Sequence, residues 1–186
     1  MNDSHVTRAS RLRRLGVTRA ALTLALIGLV APAWAVAGDP GRTSDLGDCQ
    51  QLRVQAGNRV AFQAFGVGTQ NYRWDGTRWV FVAPEAVLFA DAGDHGAVAI
   101  HFGGPTWESN SGSRVVGAVI DHCTPDPDSI PWLLLGAVAA QGPGIFDGVS
   151  YIQRLNTVGG IAPSVPGDFP GQVAKVPYTA DYVFYR

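Results

Sequence analysis

The 186-residue chain has one lysine, Lys175, and two glutamates, Glu85 and Glu108. With so few of the strong helix formers Lys and Glu, an all-helical protein is disfavoured at once. Charged residues of either sign make up 16%, against 46% hydrophobic, which is too apolar for a disordered chain. The length suits a single domain. No G-x-S-x-G string occurs, so the nucleophile elbow of an α/β-hydrolase is absent. No H-x-H or H-E-x-x-H spacing occurs either, which removes the usual zinc signatures. Two cysteines exclude a disulfide-dense scaffold.

What is abundant is turn chemistry, with 23 glycines and 12 prolines. Before the turns begin, residues 1–37 read as a secretory signal peptide. Arg8, Arg11, Arg13, Arg14 and Arg19 form a basic front, and the charge-free run "AALTLALIGLVAPAWA" follows. Ala33-Trp34-Ala35 or Ala35-Val36-Ala37 offers a small-x-small cleavage site. A transmembrane anchor is the rival, but Pro32 interrupts the run and its ~16 residues fall short of the ~20 needed to span. "WLLLGAVAA" (132–140) is shorter still, so no anchor is expected after cleavage. The Arg13-Arg14 pair leaves Sec and twin-arginine export both open. The expected location is periplasmic or extracellular, with a linker over 38–45 and one β-rich domain over 46–186.

Cleavage takes five arginines and Asp3 from the chain's 14 basic and 15 acidic residues, leaving nine against fourteen. A net charge of −5 with dispersed arginines disfavours nucleic acid and anionic membrane as partners. Cys49 and Cys123 both remain. In an exported chain they most simply form one disulfide, closing a loop of about 75 residues worth roughly 4 kcal/mol; two reduced buried thiols are the alternative.

The rest of the pattern has the period of strands. "NRVAFQAF" alternates imperfectly, and "TQNYRWDGTRWVFV" places Asp75-Gly76 between two aromatic runs. Asp-Gly supplies the positive φ of a tight type I′ hairpin, in which Trp74 opposes Thr77 and Tyr72 opposes Trp79. Further strands are expected at 86–90, 97–102, 114–120, 148–158 and 178–185. The run "IPWLLLGAVAA" (130–140) is open between buried strand and short helix, and 159–177 reads as a loop broken by prolines. Together these make an all-β antiparallel sandwich or barrel of about eight or nine short strands.

The blocks "VAFQAFGVGTQNYRWDGTRWVFVAPEAVLFAD", "HFGGPTWESNSGSRVVGA", "IPWLLLGAV", "YIQRLNTVGG" and "VPYTADYVFYR" carry a resemblance. In that order they resemble the family catalogued as domain of unknown function 3455 (DUF3455), exported proteins of bacteria and fungi. The resemblance covers nearly all of the chain after residue 49, and the family offers no established catalytic residues that could be mapped onto it. Some fungal relatives carry a malate dehydrogenase label, which this chain does not support. A dinucleotide site needs a strand, a G-x-G-x-x-G turn and a helix. The nearest string, "GVGTQN" (66–71), lacks the third glycine and runs into a hairpin. No cofactor is expected.

The candidate chemistry is thin. Glu108, directly after Trp107, fits a glycosidase acid whose pKa is raised against an indole, partnered by Asp91, Asp121, Asp147 or His101. The plainer reading makes "TWES" part of a turn, with Trp107 as packing anchor and Glu108 paired with Arg114. Asp91, Asp94 and His95 in "DAGDHG" fit a loose metal site, although aspartate is ordinary turn chemistry. His122 beside Cys123 is no nucleophile pair if the cysteine is oxidised. Four tryptophans (Trp74, Trp79, Trp107, Trp132) and five tyrosines follow the leader. Trp74, Trp107 and Glu108 are the candidate ligand-binding residues, the two rings expected to be partly exposed beside turns. Two readings result: a non-catalytic binding or structural module for a small molecule or polysaccharide, and a hydrolase built on Glu108.

Overall fold

The computed structural model describes residues 44–93 and 95–186. They form an eight-stranded antiparallel sheet closed into a barrel, which decides between the two all-β architectures left open by the sequence. The strands are β1 (Val60–Trp74), β2 (Trp79–Phe89), β3 (Ala97–Phe102) and β4 (Thr106–Ser109), followed by β5 (Arg114–Cys123), β6 (Trp132–Gln141), β7 (Tyr151–Gly159) and β8 (Val173–Tyr185). Each pairs with its neighbours in chain order, and β8 closes on β1. No helix among the described residues is long and apolar enough to cross a membrane.

Closure leaves no unpaired sheet edge, and alternate residues of each strand fill the interior. Leu88, Trp107, Val115, Leu135, Ile152, Tyr182 and Phe184 are among the largest side chains fully buried. Small residues sit opposite two of them, Gly66 and Ala99 across from Leu88 and Ala64 across from Tyr182. A Cβ on Gly66 would lie 2.6 Å from the ring of Tyr182, so only glycine leaves room for that tyrosine. The "GVG" string is thus explained by packing: Gly66 clears the Tyr182 ring, and a Cβ on Gly68 would run into the backbone of Glu85 and Ala86.

Several local expectations are corrected. The Asp75-Gly76 hairpin exists, but Trp74 pairs with Trp79 and Tyr72 with Phe81, leaving a four-residue loop over 75–78. Asp75 makes the longer loop the better solution. Its carboxylate accepts from the Thr77 amide and hydroxyl and from the Arg78 amide, at 2.8, 2.8 and 2.9 Å, while Gly76 takes φ 106°. These bonds hold the Asp75 carboxyl at about 2. "TWES" is a strand flanked by two turns, because the wall needs it between β3 and β5. Residues 130–140 yield strand β6 and no helix. Residues 173–177, taken as loop, extend β8, with Pro177 in the ladder opposite Thr69.

An antiparallel barrel of this order sends alternate loops to opposite ends. The β2–β3, β4–β5 and β6–β7 loops share one end. There Phe146, from the β6–β7 loop, is fully buried against Phe184 at 5.0 Å and Phe62 at 5.4 Å. The other end carries the β1–β2, β3–β4, β5–β6 and β7–β8 loops. A second apolar cluster lies outside the barrel wall. Leu134, Leu155 and Val183 face outward there and are covered by Leu46, Cys49 and Leu52 of the preceding segment. Cys49 is bonded to Cys123 at the end of β5, across 74 residues.

Candidate functional site

The interior is not filled throughout. At the end opposite Phe146 it holds a cavity of about 180 Å³. Its walls include Phe81, Pro84, Pro105, Val119 and Leu133, and its polar lining comes from Gln70, His101, Trp107, Arg154 and Tyr182. Five strands therefore each contribute one polar or amphipathic group.

The strand pleat decides which neighbours enter. On β4, Trp107 points inward and is 1% exposed, directly across from His101 on β3. The two rings stack with centroids 4.3 Å apart and planes 8° from parallel. His101 Nδ1 lies 2.9 Å from the Thr106 carbonyl oxygen, which only accepts. Nδ1 is therefore the protonated nitrogen of the neutral ring, and Nε2 is an acceptor. Burial holds this ring neutral and pulls its pKa down to about 4; the charge of Arg154 acts in the same direction, while the bond to Thr106 opposes it.

Arg154 lies on β7 between Leu133 and Tyr182 in the cross-strand register. Its Nε and Nη2 donate to the Pro131 carbonyl at 3.3 and 2.7 Å. The Tyr182 and Tyr178 hydroxyls are 2.9 Å apart, and burial raises both phenols above their ordinary range, Tyr182 by far the more. Arg154's charge works against the rise in each. Two buried donors form no hydrogen bond of good geometry among the described residues, Trp107 Nε1 and Gln70 Nε2, although the Gln70 amide lies near enough to Tyr178 to oppose the rise in that phenol's pKa. Native interiors rarely leave such groups unpaired, and both belong to residues that line the cavity.

The sequence candidates scatter. Glu108, one residue from Trp107, belongs to the opposite face of β4, as the pleat requires. It pairs with Arg114, its cross-strand partner, through Nε at 3.0 Å and also through Nη2. Asp147 is exposed in the β6–β7 loop, at the end closed by Phe146, and Asp121 lies on β5 outside the cavity lining. Asp91 and His95 are exposed in the β2–β3 turn, where Asp91 Oδ1 accepts from the Gly93 amide at 2.8 Å and lies 3.2 Å from His95 Nδ1. Asp94 lies outside the described residues. Trp74 is also buried, against the expected partial exposure. The β7–β8 loop folds over it, donating from the Gly171 amide to the Trp74 carbonyl at 2.8 Å. Trp107 lines the cavity; Trp74 and Glu108 do not.

Of the sequence candidates, then, Trp107 and His101 meet at one place. Gln70, Arg154 and Tyr182 were missed. Arg154 follows Gln153 in "YIQRLNTV", and two adjacent polar residues hide the strand's phase. Gln153 is itself buried on the outer face, donating to the Leu52 carbonyl at 2.7 Å and accepting from the Tyr185 hydroxyl at 2.6 Å.

Fold and site together define a closed eight-stranded barrel with a mostly apolar cavity at one end that carries a few polar groups. The chain belongs to the family described as protein of unknown function (DUF3455), whose model matches residues 55–186. No curated protein and no solved structure matches it.

Proposed function

We propose that this protein is an exported, non-catalytic binding module that holds a small molecule in the cavity of its barrel. The observation that carries the reading is the pair of buried donors without acceptors, Gln70 Nε2 and Trp107 Nε1, on residues lining one cavity. Eight-stranded barrels are wide enough to take one small ligand, and a mostly apolar cavity with a few convergent polar groups is the usual form of such a site. A polysaccharide is a poorer guest, because Trp74 and Trp107 present no open ring face for stacking. The glycosidase alternative gains nothing from the cavity, whose lining includes no aspartate or glutamate. Export is supported by the basic front and apolar run of residues 1–37 and by the Cys49–Cys123 bond, which suits an oxidising compartment.

The test is a thermal-shift screen of mature protein against small apolar and amphipathic molecules, run beside Ala83→Trp, which fills the cavity wall. Stabilisation of the parent and its loss in the folded variant are expected. An equal response from both proteins, or none from either, would remove the reading. The export half is read by mass spectrometry of the secreted or periplasmic product. Its first residue should be Val36 or Gly38, with both cysteines oxidised.

A further inference from the structure

The unmatched groups of the cavity are mostly donors, with His101 Nε2 left as an acceptor. Gln70 Nε2 and Trp107 Nε1 find no acceptor. Arg154 spends Nε and Nη2 on one backbone carbonyl, and among the described residues it forms no ion pair. The cavity lining supplies no carboxylate to neutralise it. A guanidinium in a partly buried, largely apolar pocket is costly unless an anion answers it. His101 Nδ1 is engaged with Thr106 and the Tyr182 hydroxyl with Tyr178.

A guest that satisfies this lining must bring acceptors and negative charge at one end. The planar fork of arginine matches a carboxylate, and the two neutral donors extend the same surplus. Elsewhere the guest meets Phe81, Pro84, Pro105, Val119 and Leu133, so its remainder must be apolar. A cavity of about 180 Å³ admits a short alkyl chain or a single ring.

We infer that the cavity binds a small apolar carboxylic acid as its anion, the carboxylate held by Arg154 with Gln70 and Trp107 and the body against the apolar wall. This rests on the small-molecule reading above and adds the guest's charge and shape. Because the held form is the anion, binding weakens as acidification protonates the guest, while of the titratable groups in the lining His101 stays neutral down to about pH 4 and the Tyr182 phenol stays protonated.

Isothermal titration of the mature, oxidised protein with phenylacetate and hexanoate tests it, beside the neutral phenylacetamide and hexanol and beside inorganic sulfate. The acids are expected to bind at least roughly tenfold more tightly than their neutral counterparts, the scale of one charged hydrogen bond. Sulfate, which lacks a body, is expected to bind no better than the neutral compounds. Arg154→Gln should remove that preference, Arg154→Lys should restore part of it, and Gln70→Leu should reduce it while the melting curve stays cooperative. Should Arg154→Gln fail to fold, the parent's acid preference and Gln70→Leu decide the matter. Equal affinity for acids and neutral compounds overturns the anion assignment and leaves the small-molecule reading standing. So does an unchanged acid preference in folded Arg154→Gln. Sulfate binding as tightly as the acids overturns the apolar body. No binding by any of the five overturns both readings.

Discussion

His101 shows how a single side chain registers its surroundings. Its imidazole is held neutral at a pKa of about 4, below the ordinary 6.5. As pH falls below 6.5 the unfolded chain takes up a proton that the folded ring refuses until about pH 4. Stability is therefore full above pH 6.5 and declines across the window down to about 4, by something on the order of 3 kcal/mol. Urea unfolding at pH 7.5 and 4.5 should show this slope in the parent and a shallower one in His101→Asn. Glu108 is the contrast. Its partner Arg114 is half exposed, and such pairs contribute little. Glu108→Gln is expected to change stability by less than about 1 kcal/mol and to leave any guest in the cavity undisturbed, measured by chemical denaturation and by the thermal-shift screen.

At the scale of the element, the long strand β1 depends on two glycines where side chains would serve a strand better in isolation. Gly66 gives way to the Tyr182 ring and Gly68 to the backbone of β2. Gly66→Ala is predicted to cost about 1–3 kcal/mol, the usual penalty for overfilling a packed interior. Because the atom it meets belongs to Tyr182, the same change should weaken binding in the cavity, a coupling that thermal denaturation and ligand titration together would reveal. The hairpin that follows was legible as a hairpin and misjudged in its register. Asp-Gly does mark the turn, but the Asp75 carboxylate organises four residues rather than two, and the cross-strand pairs move accordingly. The pleat explains the other misreading. "TWES" was bracketed by turn residues, yet four residues suffice for a strand once two neighbours are there to pair with it.

For the whole molecule, the disulfide joins a segment outside the barrel to the end of one of its strands. Leu46, Cys49 and Leu52 cover the outward side chains of Leu134, Leu155 and Val183, and the bond to Cys123 keeps them there. Closing so long a loop limits the unfolded chain, an effect of roughly 4 kcal/mol. Replacing both cysteines by serine is expected to lower the melting temperature by many degrees in calorimetry. Proteolysis should then cut first near residues 46–54, where the covering segment is released. A melting temperature insensitive to reductant would contradict this role.

The linear chain was enough for the strand-rich class, for the pairing of the only two cysteines and for the family likeness, because each follows from local composition or from the order of short blocks. It was not enough for the closed barrel or for the cavity. Whether Gln153 or Arg154 turns inward depends on which partner lies beside β7, and whether Trp107 and His101 meet depends on the pairing of β3 with β4. Side-chain direction along a strand has a period of two, so a shift of one residue exchanges inside for outside. Only the assembled sheet sets that phase, and with it the residues that converge on the cavity.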